Sequence, residues 1–65
     1  MGRLDIVVWT NGNRHVYPTT WQNLTLTARH VGDIYNIDTV DVWNGDEWFM
    51  SKMTNRTLSF RQLCA

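Results

Sequence analysis

The sequence of 65 residues has a single cysteine, Cys64, and no apolar run long enough to cross a membrane. One cysteine cannot form a disulfide within its own chain, and sparse use of cysteine is typical of reducing compartments. No signal-peptide pattern is visible at the start of the sequence. We therefore expect a cytoplasmic protein without a membrane segment, located in the host cell if the gene is viral.

Net charge of either sign is also lacking, because six basic residues balance six acidic ones. A general nucleic-acid binder carries clustered positive charge, so neutrality disfavours that class. Lys52 is the only lysine among the basic residues. The others are arginine, which is enriched at protein interfaces. The charge composition therefore favours a protein partner.

Residue types that supply catalysis or ligate metals are sparse. The imidazole and thiol groups belong to His15, His30 and Cys64, and no two of them have a recognised zinc-site spacing. The four glycines are isolated, so there is no glycine-rich phosphate-binding loop. Neither serine lies in a nucleophile motif. We expect no enzyme activity, no cofactor and no metal site.

What the sequence does contain is a doubled segment. Residues 6–12 and 40–45 are each a β-prone run that reaches a tryptophan and then Asn-Gly. Asn-Gly between β-prone runs predicts a hairpin, because a type I′ turn needs positive φ at both central residues. We expect two hairpins with turns at Asn11-Gly12 and Asn44-Gly45. An internal repeat and chance similarity both remain open.

Alternation of apolar and polar residues predicts the strands. The first hairpin pairs residues 4–9 with 14–17, and the second pairs 39–43 with 47–52. Pro18 should end its strand, because it lacks a backbone donor and restricts the residue before it. The aliphatic residues of the strands that lead into the turns share one face, which is the expected core face: Leu4, Ile6, Val8, Val40 and Val42.

The segment between the hairpins has two interpretations. As a helix it is capped by Thr20 and ends at Gly32 as the C′ residue, with Arg29 and His30 in its last turn. Its apolar stripe would be Trp21, Leu24, Ala28 and Val31. As a strand, residues 24–28 alternate between apolar and polar. The agreement of start, stripe and stop favours the helix, followed by a connector over residues 33–38.

The expected fold is therefore one small α+β domain over residues 1–65, with the order β-β-α-β-β in an antiparallel sheet. A fifth strand or a short helix within residues 54–63 remains open. The alternative is an all-β protein built from two three-stranded units.

Tryptophan most needs a functional explanation. Trp9 and Trp43 should lie on the face opposite the aliphatic residues and be partly exposed, and exposed tryptophan is enriched at binding hot spots. Cross-strand packing into a satellite cluster, or burial in a homodimer, would account for the same pattern. The predicted partner-binding residues are Trp9, Arg14, Tyr17, Trp43, Asp46, Glu47 and Trp48.

These observations predict a non-catalytic interaction protein that binds one protein partner. We expect an accessory or inhibitor protein of the kind that phages and mobile elements encode. The alternative is a single-stranded nucleic-acid binder whose aromatic side chains stack on bases beside scattered arginines. A self-assembling building block is a third hypothesis.

Overall fold

The computed structural model describes residues 3–58. Two β-hairpins are separated by one helix, in the order β1 (Arg3–Thr10), β2 (Asn13–Thr20), α1 (Leu24–Tyr35), β3 (Thr39–Asn44) and β4 (Glu47–Met53). The strands form one antiparallel sheet in the spatial order β2-β1-β3-β4. The predicted α+β fold is confirmed, and the all-β alternative is wrong.

α1 packs on one face of this sheet and forms the core there. The aliphatic face predicted for the strands is the face that the helix covers. The buried core cluster comprises Leu4, Ile6, Val8, Leu24, Ala28, Val31, Val40 and Val42. The second face of the sheet has no covering element within residues 3–58.

The two hairpin turns differ, although both contain Asn-Gly. Asn11 and Gly12 both have positive φ, 51° and 82°, as a type I′ turn requires. In the second hairpin Asn44 pairs with Glu47, so the loop residues are Gly45 and Asp46. Only Gly45 has positive φ there, at 64°, which is the pattern of a type II′ turn. The second turn therefore lies one residue later than predicted.

β2 continues through Pro18 to Thr20, beyond its predicted end at Tyr17. β2 is an edge strand that pairs only with β1, and edge strands tolerate a residue that cannot donate a backbone hydrogen bond. Thr19 is buried, and its Oγ1 lies 2.9 Å from Thr27 Oγ1 on the helix. This contact ties the end of β2 to α1.

The helix begins at Leu24, later than predicted, because residues 19–20 belong to β2 and a turn follows them. The Asn23 N–H donates to Thr20 O at 3.1 Å in that turn, and Asn23 is the N-cap residue in place of Thr20. Trp21 therefore leaves the predicted stripe. Its ring is exposed and contacts Phe49 edge-to-face, with the ring centroids 5.2 Å apart.

The helix also ends later than predicted. It runs to Tyr35, and Asn36 adopts the left-handed conformation (φ 56°) that was expected of Gly32. Residues 33–35 are thus helical rather than a connector. Arg29 and His30 lie in the middle of the helix.

Gly32 is buried inside the helix because the chain after β4 passes close to it. A Cβ added at Gly32 would lie 2.5 Å from Thr54 Cβ. The Thr54 hydroxyl donates to Ile37 O at 2.7 Å, and the Thr54 N–H donates to Asp38 O at 2.8 Å. Gly32 therefore serves a close approach rather than a helix end.

Residues 54–58 form no strand and no helix. Asp33 holds this segment, because its carboxylate accepts hydrogen bonds from Thr57 N (2.7 Å), Thr57 Oγ1 (2.8 Å) and Leu58 N (3.1 Å). Arg56 pairs with Asp38 at 2.7 Å. The rest of the segment considered for a fifth strand, residues 59–63, lies outside the described residues.

We expect Gly32→Ala to lower the free energy of unfolding by about 1–3 kcal/mol, because the added methyl group overpacks the contact with Thr54. Urea denaturation measures this change. The matched control is Thr25→Ala on the exposed side of the helix, which should be neutral or stabilising since alanine has the higher helix propensity. A Gly32→Ala variant as stable as the wild type would contradict the close approach.

Asp33 should make the attachment of residues 54–58 pH-dependent. The Leu58 N–H and the Thr57 hydroxyl lower the pKa of Asp33. Its contribution is therefore present above the pKa of an unfolded aspartate and is lost as the pH falls through the lowered pKa. The amide proton shifts of Thr57 and Leu58 should titrate together in this acidic range. In Asp33→Asn both amides should stop titrating there, and persistence of the titration would contradict the assignment.

Candidate functional site

The sheet face away from α1, hereafter the open face, is defined by the strand register. It carries Arg3, Asp5, Val7 and Trp9 from β1, Arg14, Val16, Pro18 and Thr20 from β2, Thr39, Asp41 and Trp43 from β3, and Trp48, Ser51 and Met53 from β4. Trp9 and Trp48 are 59% and 54% exposed on this face, and Met53 is 65% exposed. The uncovered face thus carries a group of exposed apolar side chains, although others, such as Leu26 and Ile34, lie on the helix.

The middle of the open face is nevertheless closed to solvent. Val7 is only 2% exposed, although no secondary-structure element of the described chain covers it. It lies in a row across the sheet between Val16 on β2 and Asp41 on β3. Among residues 3–58, the groups placed to shield it are the neighbouring side chains of the face itself, so the open face has a small apolar centre with an exposed aromatic margin.

A bulge in β4 brings Trp48 to the open face. Val42 pairs with Met50, but the next pair is Trp43 with Trp48, so Phe49 is the extra residue. Strict alternation along β4 would place Trp48 on the same face as Met50, which packs against the core. Instead, Trp48 and Trp43 are cross-strand neighbours. No glycine or proline lies in residues 46–53, so the sequence carried no signal for this bulge.

Trp43 is more enclosed than the other two tryptophans of the face. It is half-buried, and its indole Nε1 is buried without a hydrogen-bond partner among residues 3–58. Its cross-strand neighbour Asp5 likewise has a buried Oδ1 without a hydrogen bond. Arg3 Nε lies 3.6 Å from that oxygen, which is an ion-pair distance rather than a hydrogen bond. Trp43 is therefore in part a structural residue.

The other predicted site residues divide between the two faces. Arg14 is exposed opposite Trp9 on the open face. Asp46 lies in the second turn and Glu47 begins β4, and both are exposed at the margin beside the Trp43–Trp48 pair. Tyr17 lies opposite Ile6 on the helix-covered face, so the structure separates it from the rest of the predicted site.

Tyr17 belongs instead to a polar cluster at the margin of the core. Its hydroxyl is hydrogen-bonded to that of Tyr35, and this bond, together with burial, raises the pKa of Tyr17. The Tyr35 ring lies 5.5 Å from the His15 ring, and His15 Nε2 lies 2.6 Å from Thr10 Oγ1. These contacts join the first hairpin to the C-terminal half of α1, which is a structural role.

Three of the open-face residues that were not predicted as site residues add to its chemistry. Val16 and Met53 add exposed apolar surface, and Asp41 accepts a long hydrogen bond from Trp48 Nε1 at 3.4 Å. Alternation along β3 predicts that Asp41 lies on the same face as Trp43. An outward acidic side chain near a hairpin end is, however, equally explained by solubility. The contact with Trp48 arises only through the bulge.

Apart from the open face, a shallow groove lies between the edge strand β2 and α1, where Pro18, Leu26 and His30 line it. It contains no cluster of charged or nucleophilic groups. No three His, Cys, Asp or Glu side chains of residues 3–58 lie together so that they could hold a metal ion. Within the same range, no helix has the length and apolar character that crossing a membrane requires.

Comparison with known proteins gave no match: no protein-family model, no curated protein and no solved structure resembles the chain closely enough to count as one. The open face is therefore judged on its own chemistry.

We expect Trp9→Ala and Trp48→Ala each to change the free energy of unfolding by less than about 1 kcal/mol, since both side chains are more than half exposed. Trp43→Ala should cost about 2–4 kcal/mol, because it removes a half-buried ring from the centre of the sheet. Urea denaturation of the three variants checks the order. Equal losses at all three positions would show that the enclosure of Trp43 does not stabilise the protein.

Proposed function

We propose that this protein is a non-catalytic interaction module that binds a protein partner through the open face. The observation that supports the proposal best is the exposure of Trp9 and Trp48 on a sheet face that no described element covers. Burial of the large apolar area of an exposed tryptophan on binding is favourable, and its indole N–H is the only polar group that has hydration to lose. Such residues dominate the binding energy of many protein interfaces.

The surroundings of the two tryptophans suit a protein interface. Val16 and Met53 extend the apolar surface, and the charged groups of the face are balanced, with Arg3 and Arg14 against Asp5 and Asp41. Asp46 and Glu47 add acidic groups at the margin. Exposed aromatic side chains next to arginines and balanced charges are a combination typical of protein–protein interfaces.

The partner class is proposed from composition. Small size, one cysteine and no net charge fit an accessory or inhibitor protein of a phage or mobile element that acts in the host cytoplasm. In this role the module would occupy a surface of one host protein and thereby modulate it. The function needs neither a catalytic residue nor a cofactor.

Single-stranded nucleic-acid binding is the second candidate, and the cross-strand pair of Trp9 and Arg14 favours it. An arginine beside an exposed indole suits a stacked base and its phosphate. The two carboxylates of the face, Asp5 and Asp41, oppose it because they repel phosphate. A protein is therefore the preferred hypothesis for the partner of this surface.

The test is affinity capture from a lysate of the organism that carries the gene, using the double variant Trp9→Ala/Trp48→Ala as bait beside the wild type. The matched control, Leu26→Ala/Ile34→Ala, removes exposed apolar side chains from the helix instead. We expect the open-face variant to capture at least about tenfold less partner, since each truncated hot-spot residue costs more than about 1 kcal/mol. The helix variant should capture as much as the wild type.

In the capture experiment, a partner that both double variants retain would contradict binding through the open face. Two further measurements separate the alternatives. Saturable binding of a thymidine oligonucleotide at low salt, lost in the Trp9→Ala/Trp48→Ala variant, would favour the nucleic-acid hypothesis. A dimer in sedimentation that the same variant abolishes would assign the face to a second copy of the chain.

A further inference from the structure

Asp41 is an aspartate in an unusual setting on the open face. It lies on the central strand β3, is half-buried, and is surrounded in the strand register by Val7, Trp43 and Ser51. Aspartates on a solvated strand surface are normally exposed. The position of Asp41 therefore calls for a physical explanation.

The two oxygens of this carboxylate are not equivalent. Trp48 Nε1 and Ser51 Oγ both donate to Oδ1, each at a distance of 3.4 Å. Oδ2 accepts no hydrogen bond from residues 3–58. Two donors on the same oxygen orient the carboxylate and leave the second oxygen available. A carboxylate has lone pairs for about four hydrogen bonds, so its capacity is only partly used.

Asp41 also lacks a cationic partner among residues 3–58. The ion pairs of the described chain join Arg3 to Asp5 and Arg56 to Asp38, so no basic side chain of residues 3–58 lies within 4 Å of the Asp41 carboxylate. Asp5 on the neighbouring strand has its own arginine. Asp41 is thus the carboxylate of the open face whose charge no described residue compensates.

Indole rings flank this charge. Trp48 contacts Asp41 directly, and Trp43 follows it on the same face of β3 two residues later. A cation over the face of a tryptophan is attracted by the ring quadrupole, and a nearby carboxylate adds a charge-assisted hydrogen bond. Guanidinium suits such a site better than ammonium, because it is planar, stacks on indole and is less strongly hydrated.

We propose that Asp41, Trp43 and Trp48 form a receptor for an arginine side chain of the protein partner. The inference rests on the proposed function and adds the chemistry of the partner: an exposed arginine with apolar neighbours that meet Val16 and Met53. Asp41 Oδ2 accepts from the guanidinium while an indole face covers its plane. A phosphate in the same place would meet an uncompensated carboxylate.

The probe is the blocked tripeptide acetyl-Leu-Arg-Leu-amide, compared with the same peptide carrying citrulline, which has nearly the shape of arginine but no charge. Binding is followed by the Trp48 indole N–H resonance of the full chain. Asp41→Asn retains an oxygen that can accept from Trp48 and Ser51 but removes the charge. Asp38→Asn makes the same charge change at an exposed aspartate outside the open face, which pairs with Arg56, and is the matched control.

We expect saturable binding of the arginine peptide to the wild type, about tenfold weaker binding to Asp41→Asn, and similarly weak binding of the citrulline peptide to the wild type. Asp38→Asn should change the affinity less than about twofold, because its charge is solvent-exposed and lies outside the open face. Added salt should weaken the arginine complex of the wild type more than that of Asp41→Asn. A circular dichroism spectrum and a urea midpoint close to those of the wild type show that free Asp41→Asn is folded.

The inference is overturned if the arginine peptide does not bind saturably, if citrulline binds as well, or if Asp41→Asn binds as the wild type does. It is also overturned if a thymidine oligonucleotide binds and Asp41→Asn strengthens that binding. These failures are distinguishable from failure of the proposed function. If the open-face tryptophans still control capture of the partner while the peptides fail, only the arginine receptor is wrong.

Discussion

One helix can cover only one face of the sheet, and the rest of the structure depends on that limit. α1 has 12 residues, so it is about 18 Å long, which is close to the width of four adjacent strands. The aliphatic face of β1 and β3 packs against it. The other face must be shielded by its own side chains or remain exposed to solvent. A tryptophan ring is large enough to shield its neighbours while part of it stays exposed.

The tryptophans of the open face differ in how far they are buried. Trp43 sits at the central pairing of β1 with β3 and is half-buried, so it belongs largely to the structure. Trp9 and Trp48 lie further out and are mostly exposed. A binding surface placed on this sheet is rigid, because its backbone is fixed by the strand pairing and its centre by Val7. Rigid surfaces lose little conformational entropy on association.

The segment after β4 also stabilises this small domain with few residues. Residues 54–58 add no strand to the sheet, but they close the C-terminal end of the helix, where Gly32 admits Thr54 and Asp33 accepts the backbone of Thr57 and Leu58. A small domain buries a limited share of its surface, so a few hydrogen bonds at a margin matter more than in a large protein.

The sequence by itself determined the element order, the first turn, the aliphatic core face and the outward direction of Trp9 and Trp43, because period-two alternation and Asn-Gly turn chemistry are local signals. Only the tertiary structure decided where the helix begins and ends: the edge position of β2 lets it run past Pro18, and the approach of Thr54 makes Gly32 an interior residue. It also decided the composition of the site. The register of the first turn already implied that Tyr17 lies opposite Ile6 on the core face, but Trp48 reaches Asp41 through a bulge that exists only when β4 pairs with β3. Strand pairing is a contact between distant residues, and no local pattern records its irregularities.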